Sequence, residues 1–126
     1  MFYFLLLILD QLLKSFSRKN NFASINQGVA FGLFSGIDRF AFCLVVLFIL
    51  FFLRFSPFYK RHLKYQFEIN LIFFGGLSNL IDRLVIGGTV DYLYLPIIPS
   101  FNLADLAVTL GSLCLLGKFL FNQADL

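Results

Sequence analysis

The chain has little of what a protein needs to live in water. Only 13% of its 126 residues are charged, while 60% are hydrophobic and 19 are phenylalanine; soluble domains are about one quarter charged. So little polar surface cannot cover so much apolar side chain, which excludes a soluble globular domain of this length. Histidine occurs once, at His62 in a basic loop, and cysteine twice, at Cys43 and Cys114 inside separate apolar runs. This set offers no metal site, disulfide or other cofactor, and both cysteines read as core fillers. Nucleophilic catalysis by serine or cysteine lacks a base, because the single His falls on the face away from most of the acids. A glycine-rich phosphate loop with its lysine is missing as well.

Positive charge is in modest excess, with a net +3 and a pI near 9.0. In a soluble protein that balance would suggest nucleic acid as a partner. Here most of the cations (Lys14, Arg18, Lys19, Arg39, Arg54, Lys60, Arg61, Lys64) sit beside apolar runs, the usual place for Lys and Arg to anchor helix ends at lipid headgroups. Membrane lipid is the expected partner and nucleic acid is not.

Four apolar runs span or nearly span a bilayer, judged against the roughly 20 helical residues a hydrocarbon core needs. They predict helices over about 2–14, 40–55, 67–86 and 102–121. The first is short. It lacks a basic start and a small-residue cleavage site, and Asp10 interrupts it, so it reads as a retained helix and not a signal peptide. The second is bracketed by Arg39 and Arg54. The third and fourth carry Gly75, Gly76, Ser78, Gly111 and Gly117, small residues suited to close helix contacts. Between helices one and two, residues 15–36 are polar and partly alternating, with Gln27-Gly28 as a turn, which predicts a small β hairpin. Residues 87–100 hold a Gly pair, Pro96 and Pro99. The expected fold is therefore all-α and membrane-integral, one domain over residues 1–126 with four transmembrane helices and that hairpin. Lys and Arg divide evenly between the two faces, so the positive-inside rule does not orient the chain. The acids do divide: Asp10, Asp38, Asp82, Asp91 and Asp105 gather on the hairpin face, opposite Glu68 and Asp125.

Ionisable groups inside spanning segments are costly and mark function or a specific pairing. Asp10 and Lys14, at i and i+4, share a helix face and can pair. Two segments, Asn79-Leu80-Ile81-Asp82 and Asn102-Leu103-Ala104-Asp105, place Asn and Asp three apart. In the second, Asn102 suits a helix N-cap, with Asp105 in the first turn. Arg83 beside Asp82 favours its charged form and a supporting role. Asp91, in Thr89-Val90-Asp91-Tyr92-Leu93, has no cation nearby, and desolvation should raise its pKa. A segment just after helix three and the first turn of helix four lie at one membrane level, where Asp91 and Asp105 can meet. Two carboxylates in one site share a proton, one activating water while the other donates to a carbonyl, as in aspartic proteases.

Five segments then carry a family resemblance: Asp10-Gln11-Leu12-Leu13-Lys14, Asn26-Gln27-Gly28-Val29-Ala30-Phe31-Gly32, Gly75-Gly76-Leu77-Ser78-Asn79-Leu80-Ile81-Asp82-Arg83, Gly88-Thr89-Val90-Asp91-Tyr92, and Phe101-Asn102-Leu103-Ala104-Asp105. In this order the chain resembles bacterial lipoprotein signal peptidases, the signal peptidase II family, over nearly its whole length. The resemblance implies an aspartic endopeptidase of the bacterial cytoplasmic (inner) membrane, working as a monomer with both termini cytoplasmic. Its substrate would be a prolipoprotein bearing a diacylglyceryl-modified cysteine, cut just before that cysteine. By carry-over the dyad falls on Asp91 and Asp105, with Asn26, Asn79, Asp82, Arg83 and Asn102 lining or bracing the site. Asp10 and Lys14 would hold the first helix, and the hairpin would form an extracytoplasmic cradle. The chain departs from the pattern in being short, with Ser78 for a common Gly, Tyr92 for Phe, Leu106 after the last Asp, and a shortened loop between Asp91 and Asp105. Two other classes fit parts of the sequence. A small transporter or proton channel would also use embedded acids, and a non-enzymatic assembly subunit would leave the acid cluster unexplained.

Overall fold

The computed structural model describes residues 1–27, 39–61 and 63–122. Four long helices dominate: α1 (Phe2–Lys19), α2 (Arg39–Phe55), α4 (Gln66–Val85) and α5 (Leu103–Asn122). A short helix α3 (Pro57–Arg61) and a single 3-10 turn (Leu63–Tyr65) join α2 to α4. Four short strands complete the chain, β1 (Ser24–Asn26), β2 (Thr89–Asp91), β3 (Leu93–Leu95) and β4 (Ile98–Phe101).

The helices are built inside out relative to a soluble bundle. On α1 the buried residues are Asp10, Lys14 and Ser17, spaced i, i+4 and i+7 along one face, while Phe2, Phe4, Leu5, Leu9, Leu12 and Phe16 face outward. A helix that buries an Asp and a Lys and shows its leucines has the polarity suited to a lipid surround. α5 has the same exterior, and Leu103–Phe121 is long and apolar enough to cross a bilayer. α1 and α4 hold more charge, with Asp10, Lys14, Arg18 and Lys19 on one and Glu68, Asp82 and Arg83 on the other, and each places part of that charge inward. α1 runs five residues past the expected helix end at Lys14 because Ser17 continues the buried face. It stops where Asn21 takes a left-handed φ of 60°, a conformation Asn tolerates better than most residues.

α4 is the central helix, packed against α1, α2 and α5. It approaches α5 so closely that a Cβ on Gly75 would lie 2.7 Å from the Ala104 carbonyl oxygen, and one on Gly111 would lie 2.9 Å from the Glu68 carbonyl oxygen. Gly76 meets Leu50 of α2. Gly117, expected to serve in the same way, has nothing within 4 Å, so a Cβ there would meet open space. Cys114, expected as a core filler, is exposed on α5, although Leu115 beside it packs against the core near Ile69. The side chain of Cys43, together with His62, Asp38 and Asp125, lies outside the described residues.

α4 ends at Gly87, whose φ of 92° suits a residue without a Cβ, and both Ile86 and Gly87 donate their N–H to the Asp82 carbonyl. The chain then enters β2, which pairs antiparallel with β1 in the register Ser24 with Asp91, Ile25 with Val90 and Asn26 with Thr89. The strand expected after α1 is therefore present and bonded to a segment some 65 residues away in sequence. Its expected hairpin partner around Val29 and Phe31 lies outside the described residues. β3 and β4 form a second, separate antiparallel pair, tied to the first by a hydrogen bond of 2.9 Å between the Ser24 and Ser100 hydroxyls. Tyr94 also donates to the Phe22 carbonyl at 2.8 Å. At the opposite end of the bundle, Tyr59, Tyr65 and Ile69 form a small core with Leu53 and Leu115, and Lys118 pairs with buried Glu68 at 2.6 Å.

Candidate active site

Asp91 ends β2 and Asp105 sits in the first turn of α5. Both line one cavity of about 500 Å³, whose walls include Asn26, Arg83, Thr89, Ser100, Leu95, Ile98, Phe101, Leu106 and Thr109. Asn102 joins the two acids. Its side-chain nitrogen donates to Asp91 Oδ1 at 3.0 Å, and its side-chain oxygen accepts from the Asp105 backbone N–H at 2.8 Å. The Asp105 carboxylate returns the bond by accepting from the Asn102 N–H at 3.1 Å. This reciprocal capping box fixes the start of α5 and aims Asp105 at the cavity. It also fulfils the N-cap reading of Asn102.

Asn79, one helix away on α4, supplies the remaining brace. Its side-chain nitrogen donates to Asp105 Oδ1 at 2.7 Å, while its oxygen accepts from Asn102 at 3.1 Å and from Lys14 at 3.0 Å. Asn26 on β1 makes a side-chain hydrogen bond to Asp91.

Behind these amides lies a dry ionic cluster. The Lys14 ammonium sits 2.7 Å from both Asp10 Oδ2 and Asp82 Oδ2, with all three side chains at most 2% exposed. The i, i+4 pairing of Asp10 with Lys14 is as the sequence suggests. Asp82 finds its cation on another helix, in Lys14. Asp82 also accepts from Gln11 at 3.0 Å and from the Val90 N–H at 3.1 Å, which holds β2 against the end of α4. Asp10 reaches α5: its Oδ1 accepts from the Ala104 N–H at 3.3 Å and from the Tyr92 hydroxyl at 2.7 Å. The Tyr92 hydroxyl in turn accepts from the Leu103 N–H at 3.1 Å. Two otherwise unpaired N–H groups at the head of α5 thus receive acceptors from outside the helix.

Burial pushes the Asp91 carboxyl up to about 6, and the neighbouring Asp105 adds to the rise; the bonds from Asn26 and Asn102 and the more distant Lys14 pull against it. Burial, and next the bond to Asp10, raise the Tyr92 phenol above its ordinary value. A carboxyl that titrates near neutrality beside a second one can hold a single proton between the two, and the adjoining cavity of about 500 Å³ has room for water. Among the described residues no group of three or more His, Cys, Asp or Glu side chains is placed to share a metal ion.

The structure brings together every expected site residue: Asp91, Asp105, Asn26 and Arg83 at the cavity, and Asn79, Asn102, Asp82, Asp10 and Lys14 behind or beside it. Gln11, Ser78 and Tyr92 join them with no such role expected. Ser78 donates to Asp10 Oδ2 at 2.6 Å and accepts from Gln11 at 2.8 Å. All three lie inside the quoted motifs, and Gln11 and Ser78 fall within one turn of Asp10 and Asp82, which was the available signal.

Residues 2–121 match the family model described as signal peptidase (SPase) II. Similar curated proteins are lipoprotein signal peptidases from Caldicellulosiruptor bescii, 40% identical over 71% of this chain and 59% of that protein, and from Chlamydia muridarum, 38% identical over 81% and 65%. A third, from Helicobacter pylori strain P12, is 35% identical over 78% and 66%. The chain spans about three fifths to two thirds of the length of these relatives. Among solved structures, a bacterial membrane enzyme determined by the in meso method at 2.3 Å resolution superposes with a TM-score of 0.83 at 28% identity, covering 98% of this chain and 87% of that one. Another bacterial membrane enzyme, determined at 1.9 Å, gives 0.76 at 28% identity, with 94% and 89% covered.

Proposed function

The chain belongs to the signal peptidase II family, and on that premise we propose that it is a membrane-embedded aspartic endopeptidase that removes signal peptides from diacylglyceryl-modified prolipoproteins, cutting before the lipidated cysteine. The observation that carries this reading is the pair Asp91 and Asp105, set in one cavity and bridged by Asn102. Asp105 accepts two N–H bonds, from Asn79 and from the Asn102 backbone, which suits the ionised partner. Asp91, with its raised pKa, suits the protonated one.

In this mechanism Asp105 takes a proton from a cavity water as the water oxygen attacks the scissile carbonyl carbon. Asp91 gives its proton to the carbonyl oxygen. The tetrahedral diol then collapses: Asp105 passes its proton to the leaving amine nitrogen, the C–N bond breaks, and a diol hydroxyl returns a proton to Asp91. One proton is again shared by the pair. Asn26 and Asn102 hold Asp91, and Asn79 holds Asp105. Lys14, Asp10 and Asp82 brace the elements that carry them.

The proposed setting is the bacterial cytoplasmic (inner) membrane, with α1, α2, α4 and α5 as four spans and the whole chain as one peptidase domain. Both termini are cytoplasmic, the acid pair is near the outer face under a β cradle that includes β1, and the chain acts as a monomer. The inverted polarity of α1 and the apolar exterior of α5 support the embedding.

The test is cleavage of a lipidated precursor by the purified full-length chain in detergent. Asp91→Asn and Asp105→Asn are each expected to lower the rate by about a thousandfold or more, as loss of a member of a concerted catalytic unit does, with thermal unfolding still cooperative. Full activity in either variant removes the dyad and turns attention to Asp82. Absence of cleavage by the parent chain removes the peptidase reading.

A further inference from the structure

The end of the bundle away from the acid pair is rich in cations and short of anions to match them. Arg54, Lys60, Arg61 and Lys64 follow one another with no acid between Asp38 and Glu68. Among the described residues Glu68 is the one acid at this end, and it is buried and already held by Lys118 at 2.6 Å. No ion pair among the described residues reaches Arg54, Lys60 or Lys64. Their charge is left to be met from outside the chain.

Two of these cations rest on rings instead of trailing in solvent. The Arg54 guanidinium lies 4.5 Å from the centroid of the Tyr59 ring, and the Lys64 ammonium lies 5.0 Å from that of Tyr65. Both tyrosines are buried in one small core with Ile69, and the Tyr59 hydroxyl donates to Asn70 Oδ1 at 3.2 Å, so the floor beneath the charges is fixed. Lys118 donates to the Lys64 carbonyl at 3.0 Å and steadies the 3-10 turn. A guanidinium over a ring keeps N–H groups on its edge free, and an ammonium beside the same floor adds a compact charge. A fork of donors with a point charge is a set that suits a phosphate. Arg54 stands in the last turn of α2, and the crossing stretch of α5 ends at Phe121, close to Lys118, which puts the cluster at headgroup level. Phe51 and Phe55 on α2, and Leu116 and Phe119 on α5, are exposed next to it. Apolar surface that leads up to a phosphate site favours a phosphate that carries acyl chains.

We propose that Arg54 and Lys64, set on the floor formed by Tyr59 and Tyr65, bind the phosphate of an anionic phospholipid headgroup, with Lys60 adding attraction from α3. The site is separate from the acid pair and does not depend on the peptidase reading. It rests on α2 and α5 as spanning helices.

The test titrates the purified full chain in nonionic detergent with phosphatidylglycerol, phosphatidylcholine or inorganic phosphate. Retained lipid is read by native mass spectrometry and the unfolding midpoint by a thermal melt. Phosphatidylglycerol is expected to bind about ten-fold more tightly than phosphatidylcholine and to raise the midpoint. The double variant Arg54→Gln, Lys64→Gln is expected to lose that preference, while Arg18→Gln, Lys19→Gln, which removes the same charge from the end of α1, keeps it. Equal binding of the two lipids by the parent overturns the proposal, and so does an equal loss in both double variants, which would make net charge the cause. Inorganic phosphate raising the midpoint as far as phosphatidylglycerol does overturns lipid as the source. The parent chain supplies a reading that needs no variant to fold: its preference is expected to weaken as salt is added, and a preference indifferent to salt overturns the site. Release of the parent chain from phosphatidylcholine liposomes by alkaline carbonate overturns the embedding, and the proposal with it.

Discussion

Asp91 holds its proton up to about pH 6 because its side chain is taken out of water beside another acid. An unfolded chain releases that proton near the ordinary 3.8, so between these two values the folded state binds more protons than the unfolded one. Stability contributed by this group is full below about pH 4, falls as pH rises toward 6, and stays low above that. Asp91→Asn removes the penalty and keeps an oxygen for the Asn102 bond. The variant is expected to melt several degrees above the parent at pH 8 and level with it at pH 4, by thermal unfolding in detergent. Tyr92 makes a second prediction at this scale. Its hydroxyl donates to Asp10 and accepts from Leu103, so Tyr92→Phe strips partners from a buried carboxylate and from a helix-end N–H. A loss of about 1–3 kcal/mol is expected, along with a lower kcat at unchanged KM as the first turn of α5 and Asp105 lose a brace. Unaltered unfolding and kinetics would mean that water replaces the hydroxyl there.

Among the elements, the helix pair α4–α5 carries the site, and its glycines divide by what surrounds them. Gly75→Ala and Gly111→Ala would each press a methyl within 2.9 Å of a backbone carbonyl oxygen, which forces the helices apart and moves Asp105 away from Asn79. Both substitutions are expected to destabilise by about 1–3 kcal/mol and to cut activity. Gly117→Ala meets open space and should stabilise α5 by up to about 1 kcal/mol through helix propensity alone. Comparison of the three unfolding midpoints checks the sign at each position. Sequence identified this class of residue but not which members touch, since helical spacing fixes a face and says nothing of where two axes diverge. The same limit applies to the strands. Polar alternation near Ser24 and Asn26 marked β structure, but β1 pairs with β2, and a partner so far along the chain is set by helix packing, not local pattern. By contrast, the Asn102–Asp105 box and the Asp10–Lys14 pair were legible because each is complete within one helical turn.

For the molecule as a whole, Lys14 is the point where α1 is fastened to the rest. Its ammonium bridges Asp10 on its own helix and Asp82 on α4, and also reaches Asn79 behind Asp105. Lys14→Met leaves two buried carboxylates without their cation, and breaking such a set costs about 3–5 kcal/mol. The variant is expected to show poor accumulation and a much lower unfolding temperature, and addition of Asp82→Asn should recover part of that loss by removing one orphaned charge. The sequence brought Asp91 to Asp105, because the end of α4 and the start of α5 lie at one level of the bundle. It did not show that Asp82 would pair with Lys14, a contact made by the packing of α1 on α4.

The Asn102 amide group owns two hydrogens, and three oxygens stand within reach of its nitrogen: those of Asp91, Asn79 and the Val90 carbonyl, at 3.0, 3.1 and 3.2 Å. One of the three is always underserved. When Asp91 sheds its proton, the new negative charge competes better than a neutral carbonyl for the divided hydrogen. On the proposed mechanism the hold on Val90 is then expected to slacken, and strand β2 to shift slightly with the ionisation of the residue it carries.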